Sequence, residues 1–177
     1  KDLYKYLEDG SFIKMVETEL NQSKVVVSPT VKTGIEVLRD RNFDILKGKR
    51  VGLVTNPTGV DSKLKSTIDI LFEAKEVNLT SLYGPEHGVR GNYSAGDLVD
   101  FYIDDATKLP VYSLYGKTRK PNSEMLKDVD VLVFDIQDIG SRSYTYISTM
   151  GLVMEAAAEN KKAVVILDRP NPLGGNR

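Results

Sequence analysis

Between residues 31 and 177, short apolar runs and amphipathic stretches take turns. That alternation restricts the fold more than any other feature of the sequence. The spacing predicts a helix from Gly34 to Leu46, with Ile35, Leu38 and Ile45 turned inward, then a strand over residues 50–54. A helix capped by Ser62 and reaching about Lys75 is expected next, from Leu64, Ile68, Leu71 and Phe72 at helical spacing. Residues 77–83, 99–103 and 111–114 read as strands, Ser123 as the start of a short helix, and residues 129–136 as a strand buried on both faces. A long helix over 144–160 and a last strand over 163–167 complete the series. Parallel strands need a crossover and a helix supplies it. The pattern therefore predicts an α/β fold: an open, doubly wound, mainly parallel sheet of about five strands, Rossmann-like.

Residues 1–30 have a different texture. Leu3, Tyr4, Leu7, Phe12, Ile13, Val16 and Leu20 suggest one or two amphipathic helices interrupted at Asp9-Gly10-Ser11. We read this stretch as an N-terminal arm and linker without chemistry, and residues 31–177 as one domain, in line with a chain of 177 residues.

In a sheet of this kind ligands bind beyond the carboxyl ends of the strands, and the polar residues collect there. The first strand runs into Asn56 and Thr58, and the second into Gly84-Pro85-Glu86-His87-Gly88-Val89-Arg90-Gly91. The buried strand delivers Asp135, Gln137, Asp138 and Arg142, and the last delivers Asp168, Arg169 and Asn171. Four loops should thus converge on one edge. The second is the centre of the expected site, because it sets a carboxylate, an imidazole and a guanidinium on a Gly/Pro scaffold and holds the only histidine of the chain. Beside an apolar strand end Glu86 is suited to general acid work, with a second carboxylate among Asp135, Asp138 and Asp168. Asn56 and the arginines are hydrogen-bond clamps for a polyhydroxylated or carboxylate-bearing ligand. Tyr93, Tyr115, Tyr144 and Tyr146 lie near enough to stack on a sugar.

Each of these residues also has a structural use. Asp135 and Asp168 follow buried strands, where acids equally cap a helix or pair with an arginine. Arg142 can bridge Asp138 within its own loop, Tyr144 and Tyr146 can simply pack, and Pro170-Asn171-Pro172 is first of all a rigid turn. His87 stands too alone to anchor a metal with other histidines. Glu86 survives the weighing best, since no turn requires a carboxylate between Pro85 and His87.

Several classes drop out. A net charge of −1 gives no electrostatic case for nucleic acid or an anionic membrane. The apolar runs are too short to span a bilayer, and with no cysteine there is neither a disulfide nor a thiolate site. No G-x-G-x-x-G follows the first strand and no P-loop is present, so no nucleotide cofactor is expected, nor any other. Gly84 to Gly88 contains no serine, which excludes a nucleophile elbow there. A phosphoryl receiver would need an acidic pair where Asn56-Pro57-Thr58 stands.

Four stretches carry a family resemblance. They are Thr55-Asn56-Pro57-Thr58-Gly59, the Gly84–Gly91 motif, the run from Phe134 to Tyr146 (FDIQDIGSRSYTY), and the run from Leu167 to Gly175 (LDRPNPLGG). In this order and spacing they resemble the NamZ-type exo-β-N-acetylmuramidases over roughly residues 31–177. The resemblance implies a bacterial glycoside hydrolase that removes N-acetylmuramic acid from the non-reducing end of peptidoglycan fragments. It implies a Rossmann-type domain joined to a second, smaller one with the cleft between them. Glu86 is the candidate catalytic residue, with His87, Asp138 and Asp168 beside it. Asn56, Thr58, Arg90, Gln137, Arg142, Tyr144, Arg169 and Asn171 would hold the substrate, whose lactyl carboxylate suits an arginine. No metal enters the scheme. Such enzymes are usually exported, so a periplasmic, secreted or lipid-anchored location is expected, with any leader removed before Lys1. Family chains run to about twice this length, so the second domain is expected to be missing from the sequence as it stands.

Overall fold

A computed structural model describes residues 31–92 and 101–174. The chain divides into two compact units, Lys1–Val31 and Lys32–Arg177, and the second contains the sheet. The helices expected before residue 30 lie outside the described residues, as does Tyr93.

The elements are α1 (Gly34–Asp40), β1 (Arg50–Thr55), α2 (Thr67–Glu73), β2 (Asn78–Gly84), β3 (Phe101–Ile103), β4 (Pro110–Ser113), β5 (Val131–Asp135), α3 (Tyr146–Glu159) and β6 (Ala163–Ile166). They build one six-stranded sheet in the order β3-β4-β2-β1-β5-β6. All neighbours run parallel except β3, which pairs antiparallel with β4. The five parallel strands follow the Rossmann order, and the winding reverses between β1 and β5.

Period-two alternation sorts the side chains onto two faces. Val51, Leu53, Val131 and Val133 face α1 and α2, packing with Ile35, Leu38, Ile68 and Leu71. Val54, Leu132 and Phe134 face the other way, toward Val153, Ala156 and Ala157 of α3. Covering both faces is what lets β1 and β5 be apolar along their length.

Residues 101–103, expected as a strand, add to the edge antiparallel, which makes six strands where about five were expected. The sequence reading needs correction in four places. The helix expected to reach Leu46 stops at Asp40: Asn42 and Phe43 take left-handed backbone (φ 51° and 52°), swinging Phe43 into the core, and a 3-10 turn covers Asp44–Leu46. Ser66, not Ser62, caps α2, its hydroxyl accepting from Ile68 N at 3.2 Å. Residues 61–65 instead form a turn around Asp61, whose carboxylate accepts from Lys63 N and Lys65 N, and Leu64 points to solvent at 81% exposure. Residues 123–128 form turns rather than a helix, and α3 begins at Tyr146.

Candidate active site

The loop after β2 is fastened before it presents anything. Gly84 lies so close to the returning chain that a Cβ there would come within 3.1 Å of the Val89 backbone nitrogen. Gly88 N closes the turn on Pro85 O at 3.1 Å, and Val89 is buried at 2% exposure. Between them His87 takes φ 72°, followed by Gly88 at 73°. The same left-handed region is used at the turns of Asn42, Phe43 and Leu64; at His87 it sets which way the side chain leaves the loop. Glu86 and His87, both half-buried, are what this bend displays.

Two neighbouring hollows open along the carboxyl edge. One, of about 230 Å³, is lined by Glu86, His87 and residues 143–146. The other, of about 340 Å³, has polar walls from Gln137, Asp138, Asp168, Arg169 and Asn171, and an apolar floor that includes Phe134, Ile136 and Met150. Tyr146 lines both and so forms their common wall. Tyr144 packs edge-on against it, ring centroids 5.8 Å apart, and is 46% exposed. The structure thus brings Glu86, His87 and Tyr144 together, and separately Gln137, Asp138, Asp168, Arg169 and Asn171. Asp138 accepts from Gly140 N at 2.6 Å and Asp168 from Arg169 N at 3.0 Å, each bond shaping its own loop.

Other expected site residues are committed elsewhere. Arg90 was expected to hold substrate, but its guanidinium is taken by Asp104 (2.7 and 3.1 Å) and Asp69 (2.8 Å). It ties the Glu86 loop to α2 and to the end of β3. Burial pushes the Asp104 carboxyl up, yet the hydrogen bonds from Arg90 and Thr107 outweigh it and hold the group at about 2. Arg169 borders the larger hollow, but its guanidinium grips buried Asp135 (2.6 and 2.9 Å) and donates to Val60 O at 2.9 Å. Asp135 thus makes the arginine pairing that its place after a buried strand left open. Asn56 and Thr58 line neither hollow: Asn56 Oδ1 accepts from Thr58 N (3.0 Å) and Thr58 Oγ1 (2.6 Å), and Thr58 Oγ1 accepts from Gln137 N (2.9 Å). They brace the crevice where the winding reverses. Arg142 is exposed, lines neither hollow, and pairs with no carboxylate among the described residues, Asp138 included.

Sequence reasoning placed Tyr115 near the site only as a stacking surface. It lines one small crevice with Glu86, whose carboxylate raises the phenol above the ordinary tyrosine value. The signal was a tyrosine just past a strand end; that β4 lies beside β2 was not readable. Among the described residues no group of three acidic or histidine side chains could hold a metal, and no helix is long and apolar enough to cross a membrane.

Residues 51–177 match the family model described as exo-beta-N-acetylmuramidase NamZ, N-terminal. The peptidoglycan beta-N-acetylmuramidase NamZ of Bacillus subtilis is 58% identical over 156 residues, which is 88% of this chain and 38% of that protein. Two crystal structures of family proteins of unknown function from Bacteroides fragilis are also similar. The first is 69% identical with a TM-score of 0.76, covering 82% of this chain and 36% of its own. The second is 40% identical with a TM-score of 0.67, covering 81% and 36%. This chain therefore spans little more than a third of the length of these relatives. Its four motifs, its sheet order and the matched residues together establish that the chain belongs to the NamZ exo-β-N-acetylmuramidase family, as its N-terminal part.

Proposed function

We propose that the whole protein to which this chain belongs is a glycoside hydrolase that releases N-acetylmuramic acid from the non-reducing end of peptidoglycan fragments. The observation that carries the reading is the 58% identity to the Bacillus subtilis peptidoglycan β-N-acetylmuramidase, which spans most of the chain. Support from the site comes from Glu86, held half-buried on a constrained bend and opening on a hollow with tyrosine walls.

In this scheme Glu86 begins protonated. Its proton passes to the glycosidic oxygen as the bond to the anomeric carbon breaks, and the carboxylate is left behind. Water supplies the hydroxyl that the anomeric carbon gains, and its other proton restores Glu86. His87 lies within the same hollow, Tyr144 offers a ring to a sugar face, and Asp138 and Asp168 line the adjoining hollow for the rest of the ligand. Arg90 and Arg169 are committed to carboxylates; of the three arginines considered from the sequence, Arg142 alone has no such pairing among the described residues, though it lies outside both hollows. Because the substrate is cell-wall material, we place the protein outside the cytoplasmic membrane; cell fractionation tests that.

The decisive experiment uses the whole protein and a muramyl-glucosamine disaccharide. Wild type should release N-acetylmuramic acid, and Glu86→Gln should lower kcat/KM by at least a hundredfold, within the range expected for losing a general acid. Full activity in the Glu86→Gln protein would overturn the assignment.

A further inference from the structure

Two residues beyond the end of β2 stands Glu86, and two beyond the end of β4 stands Tyr115. The ends themselves are partners: Gly84 and Ser113 lie opposite one another in the parallel ladder, and Leu114 N donates to Gly84 O at 2.7 Å. Beyond these paired ends both side chains line the same gap. Ser113 Oγ accepts from Tyr115 N at 3.2 Å, fixing the turn that carries the phenol. Glu86, His87, Tyr112 and Tyr115 line one small crevice of about 10 Å³, space for a single water.

We propose that Tyr115 is a positioning residue for Glu86: its hydroxyl donates to the carboxylate and steadies the negative charge left there once the proton has gone to the leaving sugar oxygen. This rests on the reading of Glu86 as the proton donor. A neutral carboxylic acid gains little from a donor at that oxygen, whereas a carboxylate gains a charge-assisted bond. The interaction therefore strengthens along the reaction and acts on kcat more than on substrate binding. The direction of the phenol's shift agrees with such a contact, since a negative neighbour resists formation of tyrosinate. Arg119 acts on the phenol in the opposite sense, and His87 and Tyr112 share the crevice.

The test has two arms. In the first, this chain is labelled with carbon-13 at the tyrosine ζ position, and the Tyr115 signal, assigned with Tyr115→Phe, is titrated. It should ionise above an ordinary tyrosine in the wild type and return toward the ordinary value in Glu86→Gln. An identical titration in both proteins overturns the proposal. In the second, Tyr115→Phe in the whole protein should lower kcat about ten- to a hundredfold, from the usual worth of a bond to a charged group. KM should stay within about twofold, and the Glu86-dependent limb of the pH–rate profile should move to higher pH. A kcat within twofold of wild type and an unmoved limb would also overturn it. Should the whole protein release no sugar, the proposed function fails and the titration alone decides the pair.

Discussion

Arg169 separates a structural arginine from a substrate clamp by a measurable amount. Its side chain is 8% exposed and that of Asp135 is 1% exposed, with two bonds between them at 2.6 and 2.9 Å. Thr67 Oγ1 and Val60 O complete the cluster, which joins β5, the loop after β6 and the start of α2. In Arg169→Ala the Asp135 carboxylate stays buried with one hydroxyl for company. Breaking a buried pair from one side costs about 3–5 kcal/mol. For a unit of this size that lowers the melting temperature by roughly 6–20 °C, at about 2–4 °C per kcal/mol. Urea unfolding followed by circular dichroism should show an earlier midpoint at unchanged slope. Replacing both partners, as in Asp135→Leu with Arg169→Met, should recover most of the loss, because no charge is then left unpaired. If Arg169→Ala costs less than about 1 kcal/mol, as exposed ion pairs typically do, the cluster does not hold the loops as described.

Two further outcomes concern the same edge and the support beneath it. Gly59→Ala should destabilise by about 1–3 kcal/mol, the usual range for overpacking, since its Cβ would fall on Thr55 Oγ1 and 2.9 Å from Asp135 O; differential scanning calorimetry reads this directly. Glu36 contributes to the pH dependence: hydrogen bonds from Ser62 and then from Thr33 lower its carboxyl from 4.5 to about 2. A carboxyl depressed in the folded state stabilises fully above its unfolded value. Stability should therefore decline as pH falls from about 4.5 toward 2, more steeply in wild type than in Glu36→Gln, as acid titrations of the unfolding free energy would reveal.

The strand ends were legible because apolar runs stopping at Thr55, Gly84 and Asp135 are local signals. Parallel wiring then put their loops on one edge without further information. Side-chain commitments were not legible. Nothing near Arg90 in the sequence indicates that Asp69, 21 positions back, and Asp104, 14 positions on, would occupy it. Leu64 shows the limit of periodicity: it sits four residues before Ile68, as a helix would want, yet its backbone is left-handed at φ 62° and its side chain faces water. Asp61 overrules the pattern by bonding two backbone amides of that turn. Glu86 stands out in the sequence because its loop has no other use for a carboxylate; that Tyr115 lies beside it was not legible, because this depends on which strand lies next to β2.

Parallel wiring also leaves a second rim, where chains enter the strands rather than leave them. Lys75 and Glu76, just before β2, are exposed there at the end remote from Glu86. With no native cysteine in the sequence, Lys75→Cys would offer one thiol for a fluorophore or a surface tether. A molecule fixed by that handle would present its Glu86 edge outward to the medium.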